Sequence, residues 1–165
     1  MEYRIETLLD KKLVGKQRTM SFNNDSTAAL WGSFMPHKKL ILNTKGSDLF
    51  SLQKYPKVFN YQDFDPNALY LKWAAIEVTH FDLVPNSLET YTLKGGLYAV
   101  FKHVGTAMEF RKTFDAIFLE WLPNSEYEID DREHFELLGA KYSNTDPNSE
   151  SEEEIWIPIR LKSYL

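Results

Sequence analysis

Two pairs of short segments, set about half a chain apart, constrain this sequence more than any single residue does. LDKKLVG (Leu9–Gly15) aligns under LKGGLYA (Leu93–Ala99): each opens on Leu, passes through a short Lys or Gly turn and resumes with Leu. TAALW (Thr27–Trp31) aligns under TAMEF (Thr106–Phe110), each opening Thr-Ala and carrying an aromatic at its fifth position. The first pair lies 84 positions apart and the second 79, which puts five extra loop residues in the first half, in FNNDS. Self-similarity at a fixed spacing marks a supersecondary unit used twice. It predicts a single 1–165 domain made of pseudo-repeats spanning roughly 1–85 and 86–165.

The second half states the unit most clearly. YTLKGGLYAVFKHV alternates, with Leu97, Ala99 and Phe101 on one face and Tyr98 and Val100 on the other, as a strand does. Thr106 and Glu109 have the spacing of a capping box. Phe110, Phe114, Ile117, Phe118 and Trp121 then recur at helical intervals until Pro123 and Asn124 stop them. A strand around Phe135, a polar loop DPNSESEEE and a final strand EIWIPIRL complete a β-α-β-β order. In the first half, LVGKQRTMSF reads as a strand. Leu30, Trp31, Phe34 and Met35 form a short helical face disturbed by Pro36, and LFSLQKY and LYLKWAAIEVTHF are two more strands. The expected fold class is α+β: duplicated β-α-β-β units with pseudo-twofold symmetry, antiparallel sheets, a helix on each half and a central ligand cleft where the halves meet.

Composition narrows the function. With 11 Phe, 9 Tyr and 4 Trp in 165 residues, the aromatic content is high for a domain this size; such a load can be core, and it is also what a flat-ligand pocket needs. A formal charge of −5 argues against direct nucleic-acid binding. There is no cysteine, which excludes disulfides, thiolate catalysis and Cys-type zinc sites. No apolar run reaches membrane length and the N-terminus lacks the pattern of a signal peptide, so a soluble, cytoplasmic protein is the expectation.

Within this frame HFELL (His134–Leu138) raises a specific question, because an ionised carboxylate buried without a partner costs several kcal/mol. In a strand, Phe135 and Leu137 point one way while His134, Glu136 and Leu138 point the other, so Glu136 faces either solvent or the cleft. Glu77, in LKWAAIEV, shares a face with Trp73 and Ala75 in a longer apolar run, and by position it is the more buried acid of the two. Trp121 falls on the buried helical stripe. Trp73 and Trp156 are candidates for the groove, and Tyr98 projects opposite Leu97 and Phe101. The candidate ligand-binding set is Glu136, Glu77, Trp73, Tyr98, Trp121 and Trp156. The four histidines lack metal-ligand spacing, and neither a nucleophile elbow nor a phosphate loop is present, so no metal and no cofactor are expected.

LYAVFKHVG, followed by FLEWLPNSEYEIDDREHFELLG and SEEEIWIPI, resembles the GyrI-like small-molecule-binding family, which includes effector-binding domains of multidrug-sensing and AraC-type transcription regulators. LVGKQRTMS and KWAAIEV carry the resemblance into the first half. It implies a duplicated β-α-β-β fold with a central cleft, and a Phe-Glu glutamate, here Glu136, that meets cationic aromatic compounds inside it. Aromatic walls would add cation–π attraction of roughly 0.5–2 kcal/mol per contact. Regulators of the family carry a helix-turn-helix segment ahead of this module, whereas this chain starts at its first strand, so a stand-alone binding protein is expected. Its partners would be small hydrophobic or cationic aromatic ligands, with a protein partner possible for reporting them. Two other readings stay open: a hydrolase of reactive cyclopropane-type toxins using cleft acids, and a protein inhibitor of a DNA-processing enzyme such as gyrase.

Overall fold

Alternation produces strands wherever the sequence shows it, and several more besides. The computed structural model describes residues 1–139 and 151–163. The first half contains β1 (Tyr3–Leu8), β2 (Lys11–Met20), helix α1 (Thr27–Lys38), β3 (Thr44–Lys54) and β4 (Tyr70–Val78). The second contains β5 (Glu89–Leu93), β6 (Gly96–Gly105), a helical run, β7 (Tyr127–Ile129), β8 (His134–Leu138) and β9 (Ser151–Leu161). The run starts as a 3-10 turn (Ala107–Glu109), becomes α2 (Phe110–Asp115), widens into a π-helical stretch (Ala116–Trp121) and closes as α3 (Leu122–Asn124).

Four local expectations are corrected. YTLKGGLYAVFKHV is two strands, cut at Lys94–Gly95, and they do not pair with each other: β5 joins β2 and β6 joins β1. Gly96 lies at φ 146°, a conformation that favours glycine, and a Cβ there would meet the Arg132 guanidinium at 2.6 Å. The capping box does not form: Glu109 N–H donates to the Thr106 carbonyl (3.1 Å) in the 3-10 turn, and α2 starts after it without a side-chain cap. On α1 only Leu30 and Phe34 of the expected face are fully buried, while Met35 is exposed. Of the polar loop, residues 146–150 lie outside the described residues, but Glu152, Glu153 and Glu154 belong to β9.

All pairings are antiparallel, in the order β1-β6-β9-β8-β3-β4-β2-β5, with β7 pairing the far end of β9. The fold is thus α+β with few helices. Register fixes the two faces, because paired residues point the same way. One row crosses the sheet as Ala74–Ser51–Glu136–Ile155–Phe101, and the adjacent row as Trp73–Leu52–Phe135–Trp156–Val100. The first row lies on the face that carries both helices. Leu30 and Phe34 pack on Val14, Ala74 and Ile76 at one end, and Ile117 and Phe118 pack on Phe101, Ile155 and Ile157 at the other. The second row lies on a face where the sheet curls over its own side chains, joining Leu13, Trp73, Leu93, Tyr98, Phe135 and Trp156 into one core. Gly15 permits part of that curl, since a Cβ there would come 2.0 Å from the Ala74 carbonyl oxygen. No described helix is long and apolar enough to cross a membrane.

Candidate functional site

The two helices cover the ends of their face and leave the central strands β3 and β8 open between them. A cavity of about 890 Å³ occupies that gap. Its floor is polar. Lys72, Gln53 and His134 form one register row, and Ser51 and Glu136 the next. Its walls are aromatic and come largely from residues 55–64, which follow β3. Pro56 ends the strand there, and side-chain turns hold the segment: Gln62 N–H donates to Asn60 Oδ1 (3.0 Å) and Asn67 N–H to Asp65 Oδ1 (2.9 Å). Tyr55 and Phe59 stack at 4.6 Å, Phe59 and Phe64 lie 5.6 Å apart, and Tyr61 stacks on Phe118 of the π-helical stretch at 4.9 Å and 9°. The Tyr61 hydroxyl donates to Asp115 Oδ1 (2.5 Å), tying the segment to α2.

Glu136 occupies the middle of the floor. Among the described residues, the one side chain that donates to it is Gln53, through Nε2 (2.9 Å). Burial raises its pKa, while the Lys72 charge and the Gln53 bond pull the other way. A second carboxylate stands close by. Glu153 lies two residues before Ile155 on β9, hence diagonal to Glu136 on the same face, a spacing of roughly 7–8 Å. Its pKa is pushed up to about 8 by burial and by the Glu136 charge, against Lys72. Burial also lifts Tyr70 to about 12, assisted by Asp25 and Glu136. His134 is driven down to about 3 by desolvation and then by Arg132, so it is neutral, with its ring edge-on to Tyr55 (5.1 Å). Among the described residues no cluster of three or more His, Cys, Asp or Glu could hold a metal ion.

Of the six residues singled out in the sequence, the cavity takes Glu136 and Trp156. Trp156 reaches it from the edge, since its ring stacks on Phe135 (5.1 Å) in the opposite core. Glu77, Trp73 and Tyr98 point into that opposite face. Glu77 pairs with Lys11 (3.3 Å), Trp73 packs against Tyr91 (5.1 Å) and the Tyr98 hydroxyl donates to the Glu133 carbonyl (2.8 Å). Glu77 and Glu136 therefore do not share a cavity: the strand face that Glu77 shares with Trp73 is not the face of the cleft. Trp121 packs on Phe101 (4.9 Å) and Tyr3 (5.3 Å) outside it. Sequence reading missed Tyr55, Phe59, Tyr61 and Phe64. Their signal was available as four aromatics in the ten residues of YPKVFNYQDF, too many for an ordinary connection. It also missed Lys72 and Gln53, which only register brings to the floor, and Glu153, which register sets diagonal to Glu136 on the same face.

Solved structures share this architecture. SAV2435 bound to tetraphenylphosphonium superposes with a TM-score of 0.67 at 18% identity, over 97% of this chain and 94% of that one. The EcmrR C-terminal domain gives 0.67 at 10% identity over 98% of each chain. A hydrolase from Listeria innocua gives 0.60 at 10% identity over 96% of this chain and 92% of that one. No curated protein matches the sequence significantly. The GyrI-like small molecule binding domain matches residues 1–160, and the chain belongs to the GyrI-like family.

Proposed function

We propose that the protein takes up hydrophobic, cationic aromatic compounds in the cavity between its helices, with Glu136 as their anchor, and that it sequesters them or reports them to a partner. The observation that carries this reading is Glu136 itself: a desolvated carboxylate on the floor of an aromatic chamber, held by one neutral amide and lacking a direct cationic partner among the described residues. A ligand cation supplies that partner and lowers the raised pKa again. Stacked rings contact flat ligands without demanding one shape, so a compound class is taken up rather than a single metabolite. SAV2435, of the same fold, was solved with a phosphonium cation, which agrees with this reading.

We also read the fold as a duplication. The strand order is the same from either end once β1, β2, β3 and β4 exchange with β5, β6, β8 and β9, and Ser51 and Glu136 face each other at its centre. On that reading the ligand sits near the pseudo-twofold axis, with the acid supplied by one half alone.

A hydrolase is the second reading, favoured by one feature. Glu153, its pKa pushed up to about 8, stands diagonal to Glu136, whose pKa burial also raises, so two carboxyl groups with perturbed acidity lie on one face. One experiment separates the readings: thermal shift with aromatic cations on the wild type and Glu136→Gln, followed by mass spectrometry of the recovered compound. A ligand at 100 times its Kd adds about 2.7 kcal/mol. Stabilisation of the wild type alone, with the compound intact, supports binding, and a hydrated product supports hydrolysis. Equal responses of the two proteins would remove Glu136 from the site.

A further inference from the structure

The cavity floor holds a cation as well as an acid. Lys72 lies on β4, on the same face as Glu136, and both line the cavity. Its ammonium acts on Asp25, Glu136 and Glu153, lowering the pKa of each, yet among the described residues it closes no ion pair or hydrogen bond with any of them. Gln53 stands between the two poles: it is the register partner of Lys72 on β3, and its Nε2 donates to Glu136. Asp25, the acid on the Lys72 side, already accepts from the Thr27 backbone N–H (2.8 Å) and hydroxyl (2.5 Å). Positive and negative groups are thus held apart on one floor, under aromatic walls, with an amide preventing their collapse into a pair.

A purely cationic ligand at Glu136 enters the field of Lys72 and loses part of what Glu136 offers, because like charges in a partly desolvated cavity repel. A ligand that also carries a carboxylate or similar anionic group meets both poles. We propose that the cavity selects zwitterionic aromatic compounds, the cationic group at Glu136, the ring between the walls and the anionic group at Lys72. This deepens the binding reading above and rests on it, making Lys72 the residue that sets the ligand's charge.

Three probes built on one phenyl ring test it by titration calorimetry on the full chain: phenyltrimethylammonium (cation), 4-(trimethylammonio)benzoate (zwitterion) and 4-tert-butylbenzoate (anion, isosteric with the zwitterion). The wild type should bind the zwitterion about tenfold more tightly than the cation, the equivalent of one charge-assisted contact. In Lys72→Met the order should reverse, with the cation gaining and the zwitterion losing affinity. Equal or tighter binding of the cation by the wild type overturns the proposal, and so does an unchanged ratio in Lys72→Met. That wild-type ratio decides the matter even if the variant does not fold. If the cation wins and Glu136→Gln abolishes its binding, the zwitterion inference fails while the cation-anchoring function stands. Tightest binding of the anion, or binding of none of the three, overturns both.

Discussion

Two strand glutamates, one on each face of the same sheet, have opposite fates. Glu77 and Glu136 both sit in largely apolar strands that also carry an aromatic, Trp73 in one and Phe135 in the other. Glu77 projects into the face that curls over itself, and Lys11 reaches it there at 3.3 Å. Glu136 projects into the face whose covering is split between two helices, and it finds an amide rather than a cation. A sheet that closes on itself packs that face with its own side chains, and Glu77 meets a cation there. A sheet roofed from its two ends leaves a gap in the middle, and a charge exposed to that gap is still available. The comparison teaches that burial alone does not tell the two acids apart; incomplete pairing beside empty volume does, and it is what makes Glu136 the candidate.

Three measurements would break or sharpen the contrast. The largest effect is expected from Leu52→Ala. Leu52 is fully buried in the curled face, and losing it should cost roughly 2–5 kcal/mol. The melting temperature should fall by roughly 5–15 °C, while ligand affinity of the folded fraction stays within about twofold. A large loss of affinity would mean the two faces are not separate. Next is the alkaline stability of Glu153→Gln. Because the folded pKa is raised from 4.5 to about 8, the native state favours the protonated acid. Its contribution is complete below pH 4.5 and is lost as pH rises through about 8, so the variant should gain stability over the wild type above pH 8, on the order of a few kcal/mol, and gain nothing near pH 4. Parallel urea-denaturation curves for the two proteins across that range would show Glu153 to be solvated. The smallest effect is expected for Glu77→Gln, about 1 kcal/mol or less with no change in ligand binding. If Glu77→Gln weakens binding as Glu136→Gln does, the assignment of faces is wrong.

Much of the fold was legible along the chain. The alternation in LYAVFKHV, the helical stripe from Phe110 to Trp121 and the stop near Pro123 all correspond to observed elements, because each is set by contacts within a few residues. β1, β5 and β7 were less visible: they are short strands, and β1 and β5 pair across the halves instead of with their sequence neighbours. The capping box at Thr106 failed for a related reason, the backbone having found a 3-10 turn first. The candidate site was half legible. Glu136 stood out as a carboxylate alternating with apolar neighbours, but Trp73 and Tyr98 looked equally suited to a groove because period-2 alternation separates two faces without saying which one will be covered.

By itself the sequence determined the strand and helix periodicity, the alternation that sets Glu136 opposite Phe135 and the concentration of rings in residues 55–64. Only the tertiary structure decided which face curls shut, that Lys72, Gln53 and Glu136 meet on one floor, and that Glu153 rather than Glu77 stands beside Glu136. The physical reason is that alternation is a local property of one strand, whereas register and helix placement are settled by pairings between residues more than 80 positions apart, such as Gln53 with His134 and Ser51 with Glu136.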